Sequence, residues 1–177
     1  MATVTATPRP PWAEEALTHL DALFNYARHL SGTGDEAEEL VQETYARALA
    51  AAGSFQAGNL KAWLFSILRN DFLDRRRRGR HAPGPLDPEP RDPAWEGELL
   101  RDDLELERLR RVVAEDIEAA LAGLSEDARS IVLLDLEGFS EREISGVLGC
   151  PAGTVKSRLS RARGLLRRRL GDYARET

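Results

Sequence analysis

Lys156, Ser157, Arg158, Ser160 and Arg161 fall within six consecutive positions that no carboxylate interrupts. They offer ammonium, guanidinium and hydroxyl groups, which suit gripping phosphate oxygens and base edges rather than making or breaking bonds. Arg158 and Arg161 carry planar forks that fit guanine or phosphate in a bidentate manner. A second set comprises Asn70 and Asp74, four apart, followed by Arg75, Arg76, Arg77 and Arg78. An amide both donates to and accepts from an unstacked base, whereas a carboxylate only accepts. Asp74 therefore either takes a base amino group or pairs with Arg77 or Arg78. A third set, Glu38, Glu39, Gln42 and Glu43, crowds one helical face with acids and an amide. By composition alone that face reads as a solvated acidic surface before it reads as a docking site for a cationic partner.

Groups for covalent chemistry are missing from the sequence. His19, His29 and His81 form no acid/base arrangement, and no glycine-rich phosphate loop occurs. The single Cys150 rules out an intramolecular disulfide, and no Cys/His spacing suits a metal. No catalytic residue, metal ligand or cofactor is expected, and Cys150 reads as structural. No apolar run approaches the roughly 20 residues of a membrane span. The opening MATVTATPRPPW lacks the layout of a secretory signal, so a cytoplasmic location is expected.

The elements that must position these side chains are helical. Ala, Leu, Glu and Arg dominate, and no strand-like alternation is sustained. Residues 81–95, HAPGPLDPEPRDPAW, hold five prolines and break any helix. The expectation is an all-α chain of two small domains: 1–80, a Pro-rich acidic linker at 81–110, and 111–177. In the first, one amphipathic helix runs from Leu17 through Leu20, Leu23, Phe24 and Ala27 to Leu30. A second starts near Asp35 and buries Leu40, Val41, Tyr45, Ala48 and Leu49. A third is capped by Asn59 and buries Leu60, Trp63, Leu64, Ile67, Leu68 and Phe72. In the second domain a charged helix from about Glu96 to Leu121 turns Val112, Val113, Ile117 and Leu121 inward. Ser125 caps the next, with Ile131, Val132, Leu134 and Leu136 inside.

The chain then enters a helix-turn-helix. Ser140 and Glu143 form a capping box, Gly149 supplies a left-handed turn residue, and Pro151 fits a helix start, with Cys150 at the cap. Val155, Leu159, Ala162 and Leu166 form the inner stripe of the second helix. A helix of this size with a basic outer face fits a DNA major groove. The net charge of −5 argues against nucleic acid, but its layout does not. Residues 61–80 carry seven Lys/Arg against two Asp, and 150–177 carry eight against two acids. Local charge governs phosphate contact.

Both domains, in this order, resemble the sigma-2 and sigma-4 regions of extracytoplasmic-function (group 4) sigma factors of bacterial RNA polymerase, in the sigma-70 family. The match rests on DEAEELVQETYARAL (Asp35 to Leu49), NLKAWLFSILRNDFLDRRRR (Asn59 to Arg78) and the helix-turn-helix. The resemblance implies a promoter-specificity subunit rather than an enzyme. Glu38, Glu39, Gln42 and Glu43 would dock on the polymerase clamp helices. Asn70, Asp74 and Arg75 to Arg78 would engage the −10 element. Lys156, Ser157, Arg158, Ser160 and Arg161 would read the −35 element, and the second domain would meet the polymerase flap. The loop FQAGN (Phe55 to Asn59) corresponds to the family's base-holding loop and is one residue shorter than the form FxxGTN. The acidic linker would thread the polymerase channels. Partners implied are core polymerase, promoter DNA and an anti-sigma factor able to hold the chain at the inner membrane, with no membrane insertion of the chain itself. Two other readings remain open at this stage: a free-standing duplex-DNA regulator and a decoy for an anti-sigma factor.

Overall fold

The computed structural model describes residues 10–55, 58–79 and 103–171, apart from the side chains of 103–111. All regular structure among these residues is helical: α1 (Ala13–Leu17), α2 (Leu20–Ser31), α3 (Gly34–Ala50), a 3-10 turn (Ala52–Ser54), α4 (Leu60–Gly79), α5 (Asp103–Ala122), α6 (Glu126–Leu136), α7 (Glu141–Leu148) and α8 (Ala152–Arg169). The chain divides into two compact units.

In the first unit, the single helix expected from Leu17 to Leu30 is two. The Thr18 hydroxyl donates to the Glu15 carbonyl at 2.7 Å and its N–H reaches the same oxygen at 3.0 Å, closing α1. Leu17 and Leu20 flank this break and are exposed, while α2 buries Leu23, Tyr26 and Ala27. Gly32 (φ 96°) ends α2 in the left-handed region, and the Thr33 hydroxyl caps α3 by accepting from the Glu36 N–H at 3.4 Å. α3 buries Ala37, Leu40, Val41, Thr44 and Ala48; Leu49, expected inside, is exposed. Thr44 is tolerated there because its hydroxyl donates back to Leu40 O at 2.7 Å. Asn59 Oδ1 accepts from the Ala62 N–H at 3.0 Å, the expected cap of α4. Leu60, Leu64, Phe65 and Leu68 supply its core side, whereas Trp63, Ile67 and Phe72 are half-buried.

In the second unit, α5 already runs at Asp103, so 103–110 of the expected linker is helical; residues 81–102 lie outside the described ones. Leu121 is buried and Val113 half-buried, but Val112 and Ile117, expected inside, face water. Arg129 donates to Leu121 O and Ala122 O, both at 3.0 Å, satisfying carbonyls at the end of α5. Ser125 caps α6, accepting from the Ala128 N–H at 3.4 Å. α6 buries Ile131 to Leu134; Leu136, expected inside, lies on its last turn and is exposed.

The α7–α8 turn follows the local signals closely. The Ser140 N–H and hydroxyl both donate to Glu143 Oε2, at 2.8 and 2.7 Å, and the Glu143 N–H donates to Ser140 Oγ at 3.3 Å. Gly149 has φ 63°, the left-handed value a side chain resists. The Cys150 N–H donates to Ser145 O at 3.2 Å and the Ser145 hydroxyl donates to Cys150 O at 2.6 Å. Pro151 is extended at ψ 142° and takes the cap position itself, one residue earlier in the helix frame than expected. Cys150 therefore precedes the cap. α8 then buries Val155, Leu159 and Ala162, with Leu166 half-buried.

Candidate nucleic-acid and partner interfaces

With Val155, Leu159 and Ala162 turned inward, α8 presents Lys156, Ser157, Ser160 and Arg161 to water. Arg158 is half-buried because its guanidinium donates to Asp127 Oδ2 at 2.7 Å, tying α8 to the first turn of α6. Arg163 likewise reaches Asp135 Oδ2 at 2.7 Å. α8 contains no acid of its own, so both countercharges come from α6. Arg161 Nε donates to Ser157 O at 3.2 Å, which leaves most of its fork outward. Arg158 is the more constrained of the two arginines expected to read DNA.

The two sets that the sequence kept apart meet between α3 and α4. Arg75 Nε donates to Asp71 Oδ2 at 3.1 Å, and its other nitrogens reach Glu39 Oε2 at 3.4 Å and Glu39 O at 3.5 Å. Arg47 NH2 lies 2.7 Å from Asp71 Oδ1, while Arg47 Nε donates to Glu43 Oε1 at 2.8 Å. Asp71 has no exposed side-chain surface. A buried carboxylate needs close countercharge, and the two guanidiniums provide it. Glu39, Glu43, Arg47, Asp71, Arg75 and Arg78 line an open cleft of about 490 Å³. The hydrogen bond from Arg47 holds the Glu43 carboxyl below its usual value, aided by the charges of Arg47, Arg75 and Arg78. The same bond raises the Arg47 guanidinium. Glu38 and Gln42 stand exposed beside this network.

Further along α4, Asn70 is exposed and Asp74 pairs with Arg77, whose NH1 donates to Asp74 Oδ1 at 3.4 Å. Arg78 Nε donates to the Asp74 carbonyl at 3.3 Å. Of the two alternatives for Asp74, the observed contact is with arginine. Arg76, Arg77 and Arg78 lie at the exposed end of the helix.

Sequence reasoning missed Asp71 and Arg47. A signal for Asp71 existed: Leu60, Leu64 and Leu68 run along one buried stripe, and the stripe's next step is position 71. It also missed an aromatic cluster. Trp12 packs edge-on against Trp63 (centroids 5.5 Å, 76°) and Phe55 (6.2 Å, 70°), and Phe55 lies 5.0 Å from Trp63. Trp63 thus serves packing, as its spacing suggests. Among the described residues no group of three His, Cys, Asp or Glu side chains is arranged for a metal, and no helix is long and apolar enough to cross a membrane. The linker acids of residues 81–102, together with residues 80 and 81, lie outside the described residues.

Comparison with known proteins matches residues 16–82 to sigma-70 region 2 and residues 114–166 to sigma-70 region 4. The chain is 40% identical over 163 residues to the ECF RNA polymerase sigma factor EcfG of Rhodopseudomonas palustris, covering 86% of this chain and 81% of that one. It is 36% identical over 174 residues to the ECF RNA polymerase sigma factor SigE of Mycolicibacterium smegmatis, covering 95% of this chain. The match spans 65% of that longer relative. Among solved structures, the sigma factor RpoE in complex with the anti-sigma factor NepR, from Bartonella quintana, is similar with a TM-score of 0.72 and 39% identity. That likeness covers 92% of this chain and 98% of RpoE.

Proposed function

We propose that this chain, which belongs to the extracytoplasmic-function sigma factors of bacterial RNA polymerase, binds core polymerase and directs initiation by reading two promoter elements with two separate units. The observation that carries this reading is the outer face of α8, where Lys156, Ser157, Ser160 and Arg161 stand exposed on a helix free of acids. In the −35 duplex these side chains, with Arg158, reach base edges and phosphates from the major groove. Arg158, steadied by Asp127, sets the helix's angle as well as making contact.

The first unit handles the strand that must open. Asn70 hydrogen-bonds an unstacked −10 base, and Arg75, Arg76, Arg77 and Arg78 neutralise phosphates beside it. Asp74 serves this site by holding Arg77. Glu38, Glu39, Gln42 and Glu43 dock on cationic groups of the polymerase clamp helices, and the second unit docks on the flap. Functional divisions follow 1–80, 81–110 and 111–177. An anti-sigma factor covers the docking surfaces, a role supported by the complex in which the similar RpoE was solved. Such a partner can hold this cytoplasmic chain at the inner membrane.

Core polymerase mixed with the full chain tests this directly. Native-gel comigration and promoter-dependent run-off transcripts are expected; failure to bind core polymerase would sink the reading. Promoter mapping by that assay then defines the −10 and −35 sequences.

A further inference from the structure

Arg75 is held from two sides. Its Nε donates to Asp71 Oδ2 at 3.1 Å, NH1 to Glu39 Oε2 at 3.4 Å and NH2 to Glu39 O at 3.5 Å, so each guanidinium nitrogen has a protein acceptor. These contacts are unequal. Asp71 is fully buried and also lies 2.7 Å from Arg47, which makes it a fixed point of the fold. The Glu39 side chain is 71% exposed, and its contacts with Arg75 are longer than that of Asp71. Asp71 therefore aims Arg75, while Glu39 covers the terminal nitrogens that a phosphate would take.

The acids assigned to polymerase and the cations assigned to DNA thus neutralise part of each other's charge. The open cleft of about 490 Å³ that both residues line leaves room for a charged group beside them. A cation arriving at Glu39 stands next to Arg75, and the two like charges repel. A phosphate arriving at Arg75 is repelled by Glu39 in the same way. Each partner loosens the pair, and so each favours the arrival of the other.

We propose that the Glu39–Arg75 pair links the two interfaces: it is closed in the free chain and exchanged on assembly, when Glu39 takes a polymerase cation and Arg75 a DNA phosphate. This rests on the sigma reading above. The coupling is reciprocal, because a pair opened by one partner is not opened again by the other. Its size is that of an exposed ion pair, about two- to fivefold in affinity.

Titration of the full chain with a mixed-sequence single-stranded DNA oligonucleotide tests the pair without polymerase. Glu39→Gln should tighten binding by about two- to fivefold. Glu36→Gln removes the same charge from α3 without touching the pair and should change affinity less. The Glu39→Gln gain should vanish on an Arg75→Gln background, which keeps an N–H donor for Asp71. If that background does not fold, Arg75→Lys keeps the charge but not the fork, and the gain should shrink there. No gain from Glu39→Gln, an equal gain from Glu36→Gln, or a gain that ignores residue 75 would each overturn the inference. The mapped promoter is then titrated with holoenzyme at saturating core polymerase. There the Glu39→Gln advantage should disappear, because docking has already opened the pair; an undiminished advantage would refute the link to docking. If the wild-type chain does not bind core polymerase, the sigma reading itself fails, and the free-chain titration still reports whether Glu39 shields Arg75.

Discussion

α4 and α8 both end in runs of arginine, Arg76 to Arg78 and Arg167 to Arg169, yet they hold their cations differently. α4 carries acids among its bases, with Asp71 and Asp74 on the same helix and Glu39 and Glu43 facing them from α3. Arg75 is therefore held in one orientation by the protein itself. α8 has no acid along its length and leaves Lys156 and Arg161 to solvent, while Asp127 and Asp135 of α6 pair with Arg158 and Arg163. A regular duplex groove offers phosphates at fixed spacing, and exposed cations suffice for it. A strand leaving the duplex offers no such template, so cations pre-aimed by fixed carboxylates lose less on ordering.

The largest expected break of this contrast is at Asp71. Replacing both Arg47 and Arg75 with Met strands a buried carboxylate, which should cost about 3 kcal/mol, near the lower end for broken buried pairs because water reaches both guanidiniums. Urea unfolding of the full chain reads this cost. Adding Asp71→Leu to the double variant should recover most of it. A loss below about 1 kcal/mol for the double variant would show that Asp71 does not depend on these arginines. The matching disruption in the second unit, Asp127→Ala, strands no buried charge and should cost no more than about 1 kcal/mol.

The two helices should also fail differently on DNA. Arg161→Ala should weaken recognition at one −35 position by about 1–3 kcal/mol while core binding survives. Arg77→Ala should weaken binding evenly across sequences and flatten the salt dependence by about one phosphate contact. Loss of core binding by Arg161→Ala would contradict the assignment of α8. A smaller effect is expected at the helix-turn-helix start: Ser140→Ala removes both hydrogen bonds of the hydroxyl with Glu143, leaving the backbone N–H of residue 140 on Glu143 Oε2, and should cost about 1 kcal/mol, read by thermal or urea unfolding.

How far the sequence could be read depends on the range of each interaction. Caps at Asn59, Ser125 and Ser140 and the turn at Gly149 depend on residues within five positions, and each was legible. The all-α class and the outer face of α8 followed from periodicity. Periodicity failed at helix ends: Leu17, Leu20, Leu49 and Leu136 match the inward spacing but lie where a helix leaves its neighbours. It failed again on α5, where Val112 and Ile117 match the inward spacing but face water. The meeting of Glu39 with Arg75, 36 residues apart, and of Trp12 with Phe55 and Trp63 depends on how α1, α3 and α4 pack, which no local pattern encodes.

The smallest effect tests the same contrast by pH. Glu43 titrates below its ordinary value of 4.5, chiefly because Arg47 donates to it. A carboxyl whose folded value is depressed stabilises the fold fully above its unfolded value and loses that contribution as pH falls through the folded one. Stability of the full chain should therefore drop as pH is lowered from about 5 through the lowered Glu43 value, and Glu43→Gln should flatten that part of the curve. Glu36→Gln removes an equal charge from the same helix, where Glu36 takes part only through its backbone N–H to Thr33, and should leave the slope closer to wild type. Because Glu43 is open to solvent, added salt should shrink the difference between the two variants. If both variants flatten the curve equally, the acid sensitivity reflects total charge on α3 and not the pairing with Arg47. In that event Glu43 is not part of the network that orients the α4 arginines, and Glu39, Asp71 and Asp74 remain to distinguish α4 from α8.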